Sequence, residues 1–182
     1  MTADDAIRWN RRYAARGPVA VTDVALPERF RPFADLFPTR GHAVELACGS
    51  GAAAVWLARR GLSVWACDAS EVAVDQARDL AQRCGVAARC RFEVIDLDAG
   101  LPPGGRPDMV LCNMFRDPRL DGPIVDRLAP GGLLAVSALS EVGAAPGRFR
   151  ARPKELRVAF AALDTIAYGE AGGEAWLLAR RR

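Results

Sequence analysis

A turn of small residues between a predicted strand and a predicted helix places the strongest constraint on the fold of this chain. The segment His42–Gly61 opens with a short apolar run, continues through the small residues 47–51 and ends in a run of helix formers. A buried parallel strand followed by a helix produces this pattern. Glycine is needed where the backbone has a positive φ or lies against a ligand. Because the N–H groups at the start of a helix favour anions, the segment predicts a site for a nucleotide-type cofactor.

Two classes of cofactor are compatible with this turn. Gly49, Gly51 and Ala54 fit the dinucleotide fingerprint G-x-G-x-x-A, and Asp68 follows the predicted second strand. The acid Glu45, which precedes the glycines, favours the other class. A carboxylate gives no benefit beside a pyrophosphate, whereas it attracts a ligand that carries an ammonium group. A purely structural turn is the third interpretation.

The order of residues from Glu45 to Gly51, E-L-A-C-G-S-G, resembles motif I of the class I S-adenosylmethionine-dependent methyltransferases. Ala47 stands where that family most often has its first glycine. Three other segments are similar to the family: W-N-R-R-Y-A in the first helix, L-x-P-G-G before a later strand, and P-x-E-L-x-x-x-F near the C-terminus. The first and last of these resemble the small tellurite-resistance-type, thiopurine-methyltransferase-like enzymes that act on small molecules.

The resemblance implies S-adenosylmethionine as the cofactor and a defined set of residues around it. Asp68 is suited on chemical grounds to accept hydrogen bonds from both ribose hydroxyls. By resemblance, Asp96 binds the adenine amino group and Leu97 packs on the ring, with Asp98 an open alternative to Asp96. The full cofactor-binding set is Trp9, Tyr13, Glu45, Ala47, Cys48, Gly49, Ser50, Gly51, Asp68, Ala69, Ser70, Asp96, Leu97, Cys112 and Asn113.

Two aromatic side chains share one face of a helix predicted at Ala3–Ala15. In the functional interpretation, Trp9 and Tyr13 form a lid over the cofactor. An aromatic face near a sulfonium stabilises the bound cofactor by roughly 0.5–2 kcal/mol through a cation–π interaction. In the structural interpretation the pair only holds the helix on the domain. A linker at Val19–Pro27 follows, and Glu28–Phe37 is predicted to be a core-packing helix.

The rest of the chain alternates strands and helices, which predicts an α/β fold. We expect one methyltransferase domain over residues 1–182, with a helical lid and linker at 1–40 and a Rossmann-like core at 41–182. The core is a doubly wound, mostly parallel sheet of seven strands with helices on both faces and an antiparallel strand near the C-terminus. The later strands are predicted at Ser63–Cys67, Ala88–Ile95, Asp108–Phe115, Leu133–Leu139, Asp164–Gly169 and Glu174–Arg180, and the later helices between Ser70 and Cys84, at Arg119–Leu128 and at Pro153–Leu163.

No side chain is an obvious general base, so the catalytic residues are unassigned. His42 precedes the first strand, far from the expected site. A missing base fits a thiol, selenide, telluride or acidic hydroxyl on a small molecule, and a nitrogen nucleophile stays open. Enzymes that methylate nucleic-acid amino groups carry Asp/Asn-Pro-Pro-aromatic where this chain has Cys-Asn-Met-Phe at 112–115. Candidates for contact with the acceptor are Tyr13, Asn113, Arg116 and Arg148.

The composition of the chain excludes several classes of function and binding partner. The chain has 182 residues, is 51% hydrophobic and has a net charge of +3, which suits one domain without a nucleic-acid-binding stripe. Five cysteines without a C-x-x-C pair, and a single histidine, predict reduced thiols and no metal site. No apolar run reaches membrane-spanning length. We expect a cytoplasmic monomer or homodimer that binds neither nucleic acid nor membrane. An NAD(P)-dependent oxidoreductase and a catalytically silent S-adenosylmethionine-binding protein are the alternatives.

Overall fold

The computed structural model describes residues 3–147 and 150–182, without the side chains of residues 3–5. The chain divides into two compact units, Met1–Pro103 and Gly104–Arg182. Each unit is built around its own set of paired strands, and each carries helices between those strands. The predicted α/β fold with mostly parallel strands is therefore confirmed.

Three parallel strands form the sheet of the first unit, in the order β3-β2-β1. The apolar positions of β1 are buried, as its run of small and branched residues predicted. Because all three run in the same direction, their carboxyl ends meet at one edge of the sheet. The strands are β1 at His42–Leu46, β2 at Ser63–Asp68 and β3 at Cys90–Val94.

Two helices connect these strands, as the sequence predicted. Helix α2 spans Ala52–Arg59 between β1 and β2, and helix α3 spans Glu71–Arg83 between β2 and β3. The Ser70 side chain caps α3 by accepting a hydrogen bond from the backbone N–H of Ala73 at 3.2 Å. This satisfies one of the N–H groups that a helix leaves unpaired at its start. The apolar face of α3 is buried through Ala73, Val74, Ala77, Leu80 and Ala81.

The N-terminal segment contains one α-helix and two short 3-10 helices. Helix α1 spans Ala3–Arg16, close to its predicted bounds. A 3-10 turn at Val21–Asp23 lies within the predicted linker. The core-packing helix predicted at Glu28–Phe37 is present as a 3-10 helix at Glu28–Leu36, with non-helical dihedral angles at Phe33. A proline inside this segment removes a backbone donor and disfavours a continuous α-helix.

The second unit contains a mixed sheet. Strand β4 pairs parallel to β5, β8 pairs antiparallel to β5, and β7 pairs antiparallel to β8. This confirms the C-terminal hairpin and the antiparallel strand. A two-residue strand, β6, pairs parallel to the end of β5 and was not predicted, because two residues carry no periodic pattern. The strands are β4 at Met109–Cys112, β5 at Leu133–Ser140, β6 at Arg150–Ala151, β7 at Asp164–Ala171 and β8 at Glu174–Arg180.

Two helices of the second unit are shorter than predicted. Helix α4 spans Asp121–Arg127 and follows a 3-10 turn at Pro118–Leu120. Helix α5 spans Glu155–Ala159, so it covers only the middle of the predicted segment. Within residues 3–147 and 150–182, no helix is long and apolar enough to cross a membrane. None of the five cysteines, all in the described part of the chain, forms a disulfide bond.

Candidate functional site

The turn between β1 and α2 uses the left-handed backbone region three times. Ala47, Gly49 and Gly51 have φ values of +53°, +54° and +79°. The positive φ expected of the glycines is thus present. Ala47 adopts the same conformation in place of the glycine that is usual in the family, and an L-residue pays about 1–2 kcal/mol for it. The backbone N–H of Cys48 donates to the carbonyl oxygen of Cys67 at 2.9 Å and fixes the turn to β2.

Asp68 joins the end of β2 to the glycine turn. Its Oδ2 accepts a hydrogen bond from the backbone N–H of Gly49 at 2.8 Å, and its Oδ1 accepts one from Ser70 at 2.9 Å. Burial raises the pKa of Asp68 above 3.8, while hydrogen bonds from the backbones of Ser70, Gly49 and Ala69 oppose the rise. A carboxylate has about four lone-pair positions, so each oxygen can accept a further bond from a ligand hydroxyl.

Glu45 is buried at the same edge of the sheet with an incomplete set of partners. Its Oε2 has no hydrogen-bond partner among the described residues, and the side chain is only 3% exposed. Burial first and the charge of Asp68 next raise the pKa of Glu45 to about 8, while a backbone hydrogen bond from Ala54 lowers it. A buried carboxyl oxygen without a partner is costly. It fits a ligand that supplies a cationic N–H donor.

The two glycines of the turn have different neighbours. A Cβ on Gly49 would lie 2.8 Å from the Tyr13 hydroxyl oxygen, so Tyr13 covers this part of the turn. A Cβ on Gly51 would lie 2.6 Å from the Cβ of Ala77, so Gly51 permits close packing of the turn on α3. Gly49 is therefore the glycine whose backbone faces a side chain of helix α1 rather than the helix behind the turn. Burial is the main cause that raises the pKa of Tyr13 to about 12, with the charge of Asp68 next.

Helix α1 is attached to this site by hydrogen bonds that the sequence analysis missed. Asn10 Oδ1 accepts from the Ser70 hydroxyl at 2.6 Å and from the backbone N–H of Val72 at 3.4 Å. Gln76 Nε2 donates to the carbonyl oxygen of Tyr13 at 3.1 Å, and its Oε1 accepts from the Ser50 hydroxyl at 2.7 Å. An Asn next to the predicted lid tryptophan was the only signal available. These bonds connect α1, the start of α3 and the glycine turn.

Trp9 is half-buried beside Tyr13, with ring centroids 6.0 Å apart. The guanidinium carbon of Arg12 lies 4.9 Å from the centre of the Trp9 ring. One cation–π contact of Trp9 is therefore already made by a residue of α1. Arg8 is a second cation near the same ring, at 6.0 Å.

The predicted adenine-binding residues follow the end of β3. Asp96 is exposed and caps the 3-10 turn Leu97–Ala99 by accepting from the backbone N–H of Asp98 at 2.9 Å. Leu97 is buried, with 6% of its surface exposed. The structure thus gives Asp96 a capping role, which leaves it within reach of solvent at the same sheet edge as Glu45 and Asp68. Asp98, the alternative, is also exposed.

Two further predicted residues of the first unit, Cys48 and Ala69, lie close to the turn in the chain or at the end of β2. Cys48 is buried, its thiol contacts the carbonyl oxygen of Gly49 at 3.5 Å, and burial raises its pKa well above 9.0. This thiol is protonated at neutral pH. Ala69 is half-buried between Asp68 and the cap of α3. His42, predicted to lie far from the site, is exposed at the first residue of β1, at the opposite edge of this sheet.

In the second unit, the predicted site residues follow the end of β4. Cys112 is buried and Asn113 is half-buried. Asn113 Oδ1 accepts a hydrogen bond from the Ser137 hydroxyl at 2.7 Å, and the same hydroxyl accepts from the backbone N–H of Met114 at 3.0 Å. Met114 has a φ of +57°, which is unusual for a residue with a side chain. Strain of this kind is concentrated at functional sites.

Arg116, one of the proposed acceptor contacts, is used within the second unit. Its two terminal nitrogens donate to both carboxylate oxygens of Asp121 at 2.6 and 2.8 Å, and its Nε donates to Glu155 at 2.9 Å. The Arg116 side chain is only 6% exposed. It therefore holds the loop after β4 to α4 and α5. Arg148, another candidate, lies outside the described residues.

The chain is similar in sequence to known methyltransferases. The family model "Methyltransferase domain" matches residues 43–132. Ribosomal RNA small subunit methyltransferase C from Alcanivorax borkumensis is 33% identical over 112 residues, which are 56% of this chain and 33% of that protein. The chain thus spans about a third of the length of this curated relative.

Solved structures share the fold at low sequence identity. TehB from Haemophilus influenzae has a TM-score of 0.77 and 17% identity, over 88% of this chain and 64% of that one. Magnesium protoporphyrin IX methyltransferase from Synechocystis PCC 6803, with bound S-adenosylhomocysteine, has a TM-score of 0.71 and 19% identity, over 99% of this chain and 95% of that one. Residues 43–132 thus match a methyltransferase domain, the solved structures share the fold, and the cofactor that this domain implies is S-adenosylmethionine.

Proposed function

We propose that this chain transfers a methyl group from S-adenosylmethionine to a small-molecule acceptor. The observation that carries the proposal is the pair of buried carboxyl groups at one sheet edge. Glu45 has an oxygen without a partner among the described residues, and Asp68 is held by two backbone N–H groups. A ligand with an ammonium group and a ribose satisfies both. NAD(P) has no ammonium group to offer Glu45.

The roles of Glu45 and Asp68 follow from their chemistry, and those of Asp96 and Leu97 are what the family resemblance implies. Glu45 accepts from the ammonium group of the cofactor, Asp68 accepts from the ribose hydroxyls, and Asp96 accepts from the adenine amino group. Leu97 and Tyr13 exclude water from the adenine ring and from the Gly49 backbone. When bound, S-adenosylmethionine supplies an electrophilic methyl group on a sulfonium. The remaining contacts proposed for the cofactor within the first unit come from Trp9, Ala47, Cys48, Ser50, Gly51, Ala69 and Ser70.

The protein contributes position rather than proton transfer. The buried thiol of Cys48 and the phenol of Tyr13 both hold their protons at neutral pH, since their pKa values are raised. Neither is therefore a strong base. Correct placement of two reactants accounts for roughly 7–11 kcal/mol of a barrier without any base. An acceptor that binds in its ionised form requires no general base.

RNA is the second candidate acceptor, because the curated relative is a ribosomal RNA methyltransferase. We favour a small molecule, since the segment 112–115 lacks both prolines of the sequence that base-methylating enzymes carry there. The acceptor assay must therefore include both classes.

The direct experiment supplies S-adenosylmethionine labelled in its methyl group. The protein is incubated with a panel of thiols, phenols, amines and carboxylic acids, and separately with small-subunit ribosomal RNA, while S-adenosylhomocysteine is measured. We expect label in a small molecule. Label in RNA alone would contradict the small-molecule proposal. Binding of S-adenosylhomocysteine without turnover of any acceptor would favour a catalytically silent binding protein. A thermal shift with NADH but not with S-adenosylhomocysteine would favour an oxidoreductase.

A further inference from the structure

The side chain of Asn113 is oriented by a buried hydroxyl group. Ser137 lies on β5 and is 2% exposed. Its oxygen accepts the backbone N–H of Met114 at 3.0 Å, and its hydroxyl proton is directed to the Asn113 side chain, with Oγ and Oδ1 2.7 Å apart. A hydroxyl group has one proton to donate. In this buried place that proton needs an acceptor, and the Asn113 carbonyl oxygen is the one within reach.

This arrangement decides which end of the amide faces outward. If the amide were reversed, its NH2 group would donate to the second lone pair of the serine oxygen, but the serine proton would then have no acceptor among the described residues. The carbonyl oxygen of Asn113 therefore faces Ser137. Its Nδ2 makes no hydrogen bond to any residue in the described part of the chain. Asn113 is half-buried at the end of β4, so two N–H donors are presented to a ligand there.

The loop that carries Asn113 is held to neighbouring elements by hydrogen bonds. Met114 is held at a φ of +57° by its bond to Ser137. Arg116, two residues further on, is anchored by its paired bonds to Asp121 and its bond to Glu155. The Asn113 amide is thus fixed from both sides. Donors held in place before a ligand arrives bind it without the cost of ordering them.

We propose that Asn113 selects the acceptor by donating to an atom with at least two lone pairs, such as an ionised thiol, an ionised hydroxyl or a carboxylate oxygen. The inference rests on the proposed function and deepens it, because it names the chemical class of the acceptor. Ser137 acts through Asn113 as a positioning residue. Nothing in this role requires a proton to be removed, since the acceptor group binds in its ionised form.

The number of lone pairs separates this class from amines. A thiolate or phenolate can accept a hydrogen bond from Asn113 with one lone pair and keep another for the new bond to carbon. A neutral amine nitrogen has a single lone pair, so a bond from Asn113 would occupy the electrons that must react. The N–H groups of an amine would also face the N–H donors of Asn113, which leaves both without acceptors.

The test uses three probes of matched size: 4-nitrothiophenol, 4-nitrophenol and 4-nitroaniline. The nitro group favours ionisation of the thiol and of the phenol and leaves the aniline neutral. Each is titrated into nitrogen-15-labelled protein, with and without saturating S-adenosylhomocysteine. The readout is the side-chain NH2 signal of Asn113, identified by its absence in Asn113→Asp. We expect the thiol and the phenol to shift this signal and the aniline to leave it in place.

Two variants complete the test. Asn113→Asp keeps an oxygen for Ser137 and loses both donors, so binding of 4-nitrothiophenol should weaken at least about tenfold. Ser137→Ala releases the amide and should weaken binding several-fold, and Ser137→Thr, which keeps the hydroxyl, should restore it. An equal shift with 4-nitroaniline, or no shift with any probe, would overturn the proposal. Failure of S-adenosylhomocysteine to bind would refute the proposed function alone, because the probes are also titrated in its absence.

Discussion

The backbone N–H of Gly49 donates to Oδ2 of Asp68 at 2.8 Å. The glycine turn after β1 and the end of β2 are therefore one hydrogen-bonded unit, with the ligand-facing backbone held by the same carboxylate that we assign to the ribose. This relationship links cofactor binding to the stability of the turn. The variants below distinguish residues that contact the ligand from residues that only hold the turn in place.

Asp68→Ala should weaken binding of S-adenosylhomocysteine by about 1.5–3 kcal/mol for each charged hydrogen bond lost. The fold should survive, but with lower stability, because the backbone N–H groups of Gly49 and Ser70 lose their acceptor. Asp68→Asn is the matched control, since it keeps one acceptor oxygen. Its affinity should lie between those of the native protein and Asp68→Ala. Calorimetric titration measures the affinity. Unchanged affinity in a folded Asp68→Ala protein would remove Asp68 from the site.

Glu45→Gln should remove a pH dependence of stability. Burial raises the pKa of Glu45 from 4.5 to about 8 in the folded protein without ligand. Between these values the folded state keeps a proton that the unfolded chain has lost. The free energy of unfolding of the native protein therefore falls as the pH rises from 4.5 towards 8, and this part of the fall is absent in the variant.

Thermal melting of both proteins at several pH values gives the comparison. The melting temperature of the native protein relative to Glu45→Gln should decrease as the pH is raised. A difference that stays constant over this range would show that Glu45 titrates normally. Binding of S-adenosylhomocysteine near pH 7 should also release protons from Glu45, because the ammonium group of the ligand favours the ionised carboxylate. Calorimetry in two buffers of different ionisation enthalpy detects this release.

Ala47→Gly should stabilise the protein. Ala47 has a φ of +53°, and glycine adopts this conformation without the steric cost that alanine pays. The gain should be about 1 kcal/mol. Ala52→Gly, in the helical conformation at the start of α2, is the control and should destabilise. Urea unfolding measures both. A lower midpoint for Ala47→Gly would mean that the Ala47 methyl group makes packing contacts that outweigh the backbone strain.

The N-terminal helix should be protected by ligand. Few apolar side chains hold α1, which is exposed over most of its length and attached through Asn10, Tyr13 and Gln76. Such a segment opens more readily than a sheet. Hydrogen exchange of the α1 amides should slow when S-adenosylhomocysteine binds, and deletion of Met1–Ala15 should weaken binding and methyl transfer.

Two variants make this prediction sharper. Asn10→Ala removes the acceptor of Ser70 and Val72 and should speed exchange in α1, whereas Arg11→Ala, at an exposed position of the same helix, should not. Strong and equal protection with and without ligand would identify Trp9 and Tyr13 as ordinary packing residues.

The features that the sequence predicted best are local. The turn from Glu45 to Gly51, the acid after β2 and the Ser70 cap each follow from neighbouring residues, so pattern and chemistry identify them. The contacts of Asn10 join segments far apart in the chain, and no local periodicity encodes them. The helix at Glu28–Leu36 was predicted, but its 3-10 type was not, because its apolar spacing is compatible with an α-helix. The position of the Asn113 amide depends on a serine of another strand.

The central claim is that the backbone at Gly49 lies against S-adenosylmethionine. Calorimetric titration of S-adenosylhomocysteine into the native protein and into Gly49→Val tests it most directly. Gly49 has a φ of +54°, and a Cβ there would lie 2.8 Å from the Tyr13 hydroxyl oxygen. The same titration is made with the double variant Gly49→Val/Tyr13→Ala. In that protein the tyrosine no longer obstructs the valine, and the valine side chain still faces the ligand. We predict binding by the native protein and none by either folded variant. Binding that persists in Gly49→Val, or returns fully in the double variant, would contradict the account.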